Sequence, residues 1–125
     1  MKRKLQTALL ILIVAIMYSA NSYAESNRYG NPFPVEVTAY CDNGITASGS
    51  HTRTGICAAR KEWIGYTAII YNSDMELVGI YQIEDTGSDY RLKNGSCIDI
   101  WLPDYDSCIK WGRQKCYAQI VPAEG

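Results

Sequence analysis

Six short runs of β-branched, aromatic and aliphatic residues, each cut off by Gly, Asn, Asp, Ser or Pro, limit what this chain can fold into. They are VEVTAYC (35–41), ICAA (56–59), YTAIIY (66–71), LVGIYQIED (77–85), CIDIWL (97–102) and QKCYAQIV (114–121). Their lengths suit strands, and several alternate apolar with polar residues at period two. Asn72-Ser73-Asp74 supplies side chains that cap a turn, and Gly79 marks a candidate bulge. Two connections are long and turn-rich, DNGITASGSHTRTG (42–55) and DTGSDYRLKNGS (85–96). PDYDSCIKWG (103–112) reads as one short helix, opened by Pro103 and Asp104 and closed by Gly112. Six strands, one short helix and long Gly-rich loops predict an all-β sandwich or barrel.

The N-terminus has a different character. A basic head, Met1-Lys2-Arg3-Lys4, precedes the apolar run LLILIVAIM (9–17), and Ser22 and Ala24 are small residues two apart. This pattern predicts a secretory signal peptide over residues 1–24, cut after Ala24. The apolar run is about half of the ~20 residues that span a bilayer, so no stable membrane insertion is expected after cleavage. Residues 25–33 read as a linker and 34–122 as a single domain. The protein has 12 basic and 13 acidic residues; without Lys2, Arg3 and Lys4 it has 9 and 13, a net charge of −4. The basic residues form no stripe, which argues against a nucleic-acid partner.

Five cysteines, Cys41, Cys57, Cys97, Cys108 and Cys116, show no CxxC spacing, and His51 is the one histidine. No metal site and no cofactor are expected from that set. Export opens disulfide chemistry to these cysteines, with one left over from any pairing and every pairing open.

Several stretches, taken in order, carry a family resemblance. VTAYC (37–41), TASG (46–49), TGICAA (54–59), EDTGS (84–88), CIDIW (97–101) and KWGRQKCYAQIV (110–121) resemble the bacterial 3D domain, named for three aspartates. That domain is similar to the catalytic barrel of the membrane-bound lytic transglycosylase A family. The resemblance covers about residues 35–121 and implies a six-stranded double-psi β-barrel. It also implies an extracytoplasmic, wall-associated enzyme that acts on peptidoglycan glycan strands at the MurNAc–GlcNAc bond. Two family aspartates map onto Asp85 and Asp99, while the place of the first reads Ala59-Arg60-Lys61. Glu62 is the nearest carboxylate able to take that place.

The implied chemistry needs one carboxylic acid. It protonates the leaving glycosidic oxygen and then takes the proton of the substrate's own muramyl 6-hydroxyl as that hydroxyl attacks, giving a 1,6-anhydro product. Such an acid must stay protonated near neutral pH, which takes desolvation or a neighbouring carboxylate. Asp99, between Ile98 and Ile100, fits the acid/base, and Asp85 fits its partner. Period two places Asp99 on the face of Cys97 and Trp101 and away from the two isoleucines. Tyr40, Thr46, Ser48, Gly87 and Trp101 are the candidate glycan contacts, and Trp111 reads as a packing residue. A non-catalytic glycan-binding or expansin-like wall module is the alternative.

Asp85-Thr86-Gly87-Ser88 also matches the aspartic-protease signature. Glu84 interrupts the apolar strand that should lead into it, and the 40 residues after Asp85 (125 minus 85) are too few for the rest of that fold.

Overall fold

The computed structural model describes residues 30–122. The expected signal peptide, and the linker up to residue 29, lie outside the described residues. The strands are β1 (Phe33–Tyr40), β2 (Ile56–Ala58), β3 (Tyr66–Tyr71), β4 (Leu77–Asp85), β5 (Cys97–Trp101) and β6 (Gln114–Pro122). They close into a barrel in the order β1-β5-β2-β4-β3-β6. Each strand falls on one of the six apolar runs, and β1 begins at Phe33, inside the segment expected as linker.

β1 pairs with β5, and β2 with β4, in parallel; the remaining neighbours are antiparallel. Each of the six strands thus has a paired neighbour on both sides. The β3–β4 register slips between Ile70 and Tyr71, whose partners are Gly79 and Leu77, so the irregularity sits beside the glycine that announces it.

Alternation decides what fills the barrel. Val37, Cys57, Ile70, Ile83 and Ile98 are fully buried, and all belong to one apolar cluster. Burying an isoleucine side chain contributes about 1.5–3 kcal/mol, so Ile70, Ile83, Ile98 and Ile100 are major stabilising groups.

The expected helix is α2 (Tyr105–Trp111), with a single turn, α1 (Tyr90–Lys93), preceding it in the chain. Asp104 caps α2, its Oδ1 accepting the Ser107 N–H at 2.7 Å. Gly112 closes it with φ 65°, a left-handed conformation that favours glycine, and its N–H donates to the Cys108 carbonyl at 3.0 Å. Trp111 packs against the barrel core, and its Nε1–H donates to the Val37 carbonyl at 3.0 Å. This bond ties the C-terminal end of α2 to β1.

Two elements were not expected. A 3-10 turn spans Lys61–Trp63, and α1 lies within the turn-rich connection. Asp89 caps α1, its carboxylate accepting the Arg91 N–H at 2.8 Å. Among the described residues, no helix is long and apolar enough to cross a membrane.

Candidate active site

The register of four strands sets two carboxylates in one row. On β2, Ala58 is the Cα partner of Asp85 on β4 and of Asp99 on β5; across β5, Asp99 is the partner of Thr38 on β1. The row therefore runs Asp85, Ala58, Asp99, Thr38. Two strand spacings separate the aspartate backbones, about 10 Å. Period two turns Asp99 and its partner Thr38 away from Ile98 and Ile100, which fill the interior, and a register slip between Cys57 and Ala58 sets Asp85 opposite Ala58 although it lies two residues on from the buried Ile83. On the strand between the two aspartates stands Ala58, and Tyr40, whose hydroxyl reaches Asp85, feels the charge of both carboxylates.

Asp99 is partly buried, and its Oδ1 accepts the Thr38 hydroxyl at 3.0 Å. Desolvation pushes its carboxyl up to about 6. The Thr38 hydrogen bond opposes that rise, and the charges of Asp42, Asp85 and Asp89 add to it. A carboxyl in this state exchanges its proton close to neutral pH.

Asp85 is held differently. Its Oδ1 accepts the backbone N–H groups of Ala47 and Thr86, each at 3.0 Å, and its Oδ2 accepts the Tyr40 hydroxyl at 3.1 Å. Besides its own turn, the carboxylate thus joins the end of β4 to β1 and to the 42–55 loop. Burial, and then the neighbouring Asp85, hold the Tyr40 phenol well above its usual range, which keeps it a neutral donor.

The other candidates divide by their surroundings. Thr46 is buried, and its hydroxyl is engaged with the Ser48 and Ser50 hydroxyls at 3.0 and 2.8 Å. Thr46 and Ser48 thereby brace the loop that supplies the Ala47 N–H; Ser48 adds a backbone bond to the Glu84 carbonyl at 3.0 Å. Trp101 is buried, with its Nε1–H donating to the Asp42 carbonyl at 2.9 Å. Gly87 leaves room for Leu92: a Cβ there would lie 2.9 Å from the Leu92 Cδ1. The glycine thus serves a close approach, and its φ lies outside the left-handed region. Arg60 is bound to Glu62, Nε to Oε2 at 3.0 Å. A hydrogen bond donated to the carboxylate by Glu62's own backbone and then the Arg60 guanidinium lower the Glu62 pKa, and the side chain is exposed. Its surroundings favour an ionised surface group.

Two grooves meet along this face. The smaller, about 240 Å³, is lined by Asp99, Cys97, Asp89, Arg91, Leu92, Thr38, Ala39 and Arg113. The larger, about 560 Å³, shares Thr38, Ala39 and Arg113 with it and adds Tyr40, Cys41, Asp42, Tyr105, Cys108, Ile109 and Gly112. Arg113 stands where they join, its guanidinium 2.6 Å from Glu36, and Arg91 reaches the same carboxylate at 4.0 Å. Arg91 also bonds Asp89 through Nε at 3.2 Å and Nη2 at 3.0 Å, and these bonds hold the Asp89 carboxyl down at about 2.

The contribution of α1 and Arg113 to this face is not foreseen from sequence. The local signal for α1 is present: Asp89 is an N-cap residue and Gly95 a terminator, one short turn apart.

No protein-family model matches the chain, and no curated protein matches it significantly. Among solved structures it is similar to the Streptomyces papain inhibitor, at 14% identity over 74% of this chain and 96% of that one, with a TM-score of 0.57. At that identity the likeness extends to the fold.

Proposed function

We propose that this chain is a secreted peptidoglycan-cleaving enzyme, a lytic transglycosylase that acts on the MurNAc–GlcNAc glycosidic bond with Asp99 as general acid/base. The observation that carries the reading is Asp99 itself: a carboxyl pushed up to about 6, lining an open groove and facing Asp85 across Ala58. Asp99 protonates the leaving oxygen. The muramyl 6-hydroxyl then attacks the anomeric carbon and returns its proton to Asp99. Asp85, anchored by three donors, is the fixed negative charge that helps keep the Asp99 proton in place and favours the developing positive charge on the sugar. Tyr40 positions Asp85. The ordered motifs, the two parallel strand pairs and the basic–apolar N-terminus support this reading and its double-psi and extracytoplasmic components.

Digestion of purified sacculi followed by mass spectrometry tests it. Wild-type protein is expected to produce 1,6-anhydromuramyl ends, and Asp99→Asn to lower their rate by at least about 100-fold. Reducing ends without anhydro sugar would make the protein a hydrolase and overturn the transglycosylase assignment.

One observation favours a second reading, a non-catalytic wall-binding module. Arg60 stands where the resembled family has an aspartate, and the adjacent Glu62 is tied to it at the surface. The barrel fold is also shared with a protein named as an inhibitor of papain. Sacculus binding with no new ends, unaffected by Asp99→Asn, is the outcome that selects this module over the enzyme.

A further inference from the structure

The five cysteines, all thiols in this structure, divide into two classes. Cys57, Cys97 and Cys116 are 0%, 4% and 3% exposed. Cys41 and Cys108 are both partly exposed, and both line the larger groove. Cys41 follows the last residue of β1 and Cys108 lies in α2, yet the two line one groove, and after burial it is the neighbouring Cys41 that pushes the Cys108 thiol up.

Strand register disposes of the alternatives among the buried three. Cys97 and Cys116 flank β1 from opposite sides, opposite Glu36 and Val35. They are two strand spacings apart, about 10 Å, beyond the roughly 7 Å that a disulfide can bridge between Cα atoms. Cys57 pairs with Ile100, three residues along β5 from Cys97, again about 10 Å away. Cys57 and Cys116 stand on opposite walls of the barrel, β2 and β6, with the apolar core between them.

We propose that Cys41 and Cys108 are the oxidisable pair of this chain, and that a disulfide between them fastens α2 to the end of β1. The oxidant is a disulfide, either a small molecule or an oxidoreductase. One thiol of the pair loses its proton and attacks the oxidant's S–S bond, forming a mixed disulfide and releasing one thiol. The second, also deprotonated, displaces the other half. Two thiols of the chain and one external disulfide become one internal disulfide and two external thiols.

The bond changes the groove rather than the core. Trp111 already ties the C-terminal end of α2 to Val37. Cys108 lies one turn earlier, on the stretch that presents Tyr105 and Ile109 to the groove. A second fastening there stops α2 from pivoting about Trp111 and fixes the groove width. The inference stands apart from the glycan-cleavage reading, since it concerns the wall of the groove and not the carboxylates.

Its test is thiol mapping of the chain after incubation with oxidised glutathione, with native iodoacetamide labelling before digestion. The expected result is a loss of two hydrogen masses, one cross-linked peptide pair joining Cys41 to Cys108, and three remaining thiols that label only after unfolding. Reduction is expected to lower Tm by about 10–30 °C, for a bond worth about 2–4 kcal/mol. In Cys108→Ser, Cys41 is expected to form no internal bond after the same oxidation and to stop at the free thiol or its mixed disulfide with glutathione, and Tm to become insensitive to reductant. Continued labelling of both Cys41 and Cys108 in the oxidised wild type would overturn the proposal, as would a bond mapped to another pair or a covalent dimer through Cys41. The wild-type map decides the matter alone where Cys108→Ser fails to fold.

Discussion

At Asp99, burial of the carboxyl and the hydrogen bond from Thr38 act in opposite directions on the proton. Burial prevails because a charge loses more on leaving water than a single hydroxyl donor returns. Thr38→Val keeps the shape of the residue and removes the donor that favours the ionised form. A hydrogen bond worth about 1 kcal/mol corresponds to about a five-fold larger protonated fraction above the pKa. If Asp99 is the acid, the high-pH limb of glycan cleavage, near 6 in the wild type, is expected to move to higher pH in this variant. A pH–rate profile on sacculi measures it, and an unmoved limb removes Asp99 from the acid's role. Much of this residue was legible in the sequence, since Ile98 and Ile100 dictate which way Asp99 faces. The bonds from Tyr40 and Ala47 to Asp85 were not, because they cross 45 and 38 residues of chain.

The elements were easier to read than their pairing. Period-two alternation and turn residues are local properties, so the six strands and α2 show directly in the sequence. α1 is four residues long, too short for a helical hydrophobic stripe, and only its cap and its terminating glycine announce it. α2 is seven residues long, below the length at which an isolated helix persists in water, and depends on its cap and its packing. Asp104→Ala removes the acceptor for the Ser107 N–H. The expected loss is about 1 kcal/mol, seen as a fall in Tm of about 4–8 °C. Thermal unfolding followed by circular dichroism measures it. An unchanged Tm would mean that Trp111 and the groove contacts hold α2 without the cap.

For the molecule as a whole, the raised Asp99 pKa is also a term in folding stability. The folded state holds this proton more tightly than the unfolded chain, whose aspartate titrates near 3.8. The stability so gained is fully present below pH 3.8 and is lost as the pH rises through about 6. At pH 8 the folded protein carries an ionised, partly buried carboxylate at a cost of about 1–2 kcal/mol, discounted for its partial exposure. Asp99→Asn is therefore expected to be more stable than wild type at pH 8, with the gap closing at pH 4. Urea unfolding of both proteins at the two pH values checks this, and equal midpoints at pH 8 would refute it. Barrel closure and strand order were less legible than the strands, because a parallel pair such as β1 with β5 joins residues about 60 positions apart, as Thr38 and Asp99 show.

The row through Ala58 has one more consequence. The aspartates sit on strands one strand removed from each other, so their backbone separation comes in whole steps of about 4.8 Å. Ordinary drift in side-chain size at neighbouring positions cannot trim that gap by a fraction of a step. What can change is the gap's content, to which residue 58 and the Tyr40 ring both contribute. Ala58 is itself buried, so a valine or leucine there would have to push its neighbours aside to fit between the two carboxylate strands. In this barrel, reach between the charged groups is inherited from the sheet.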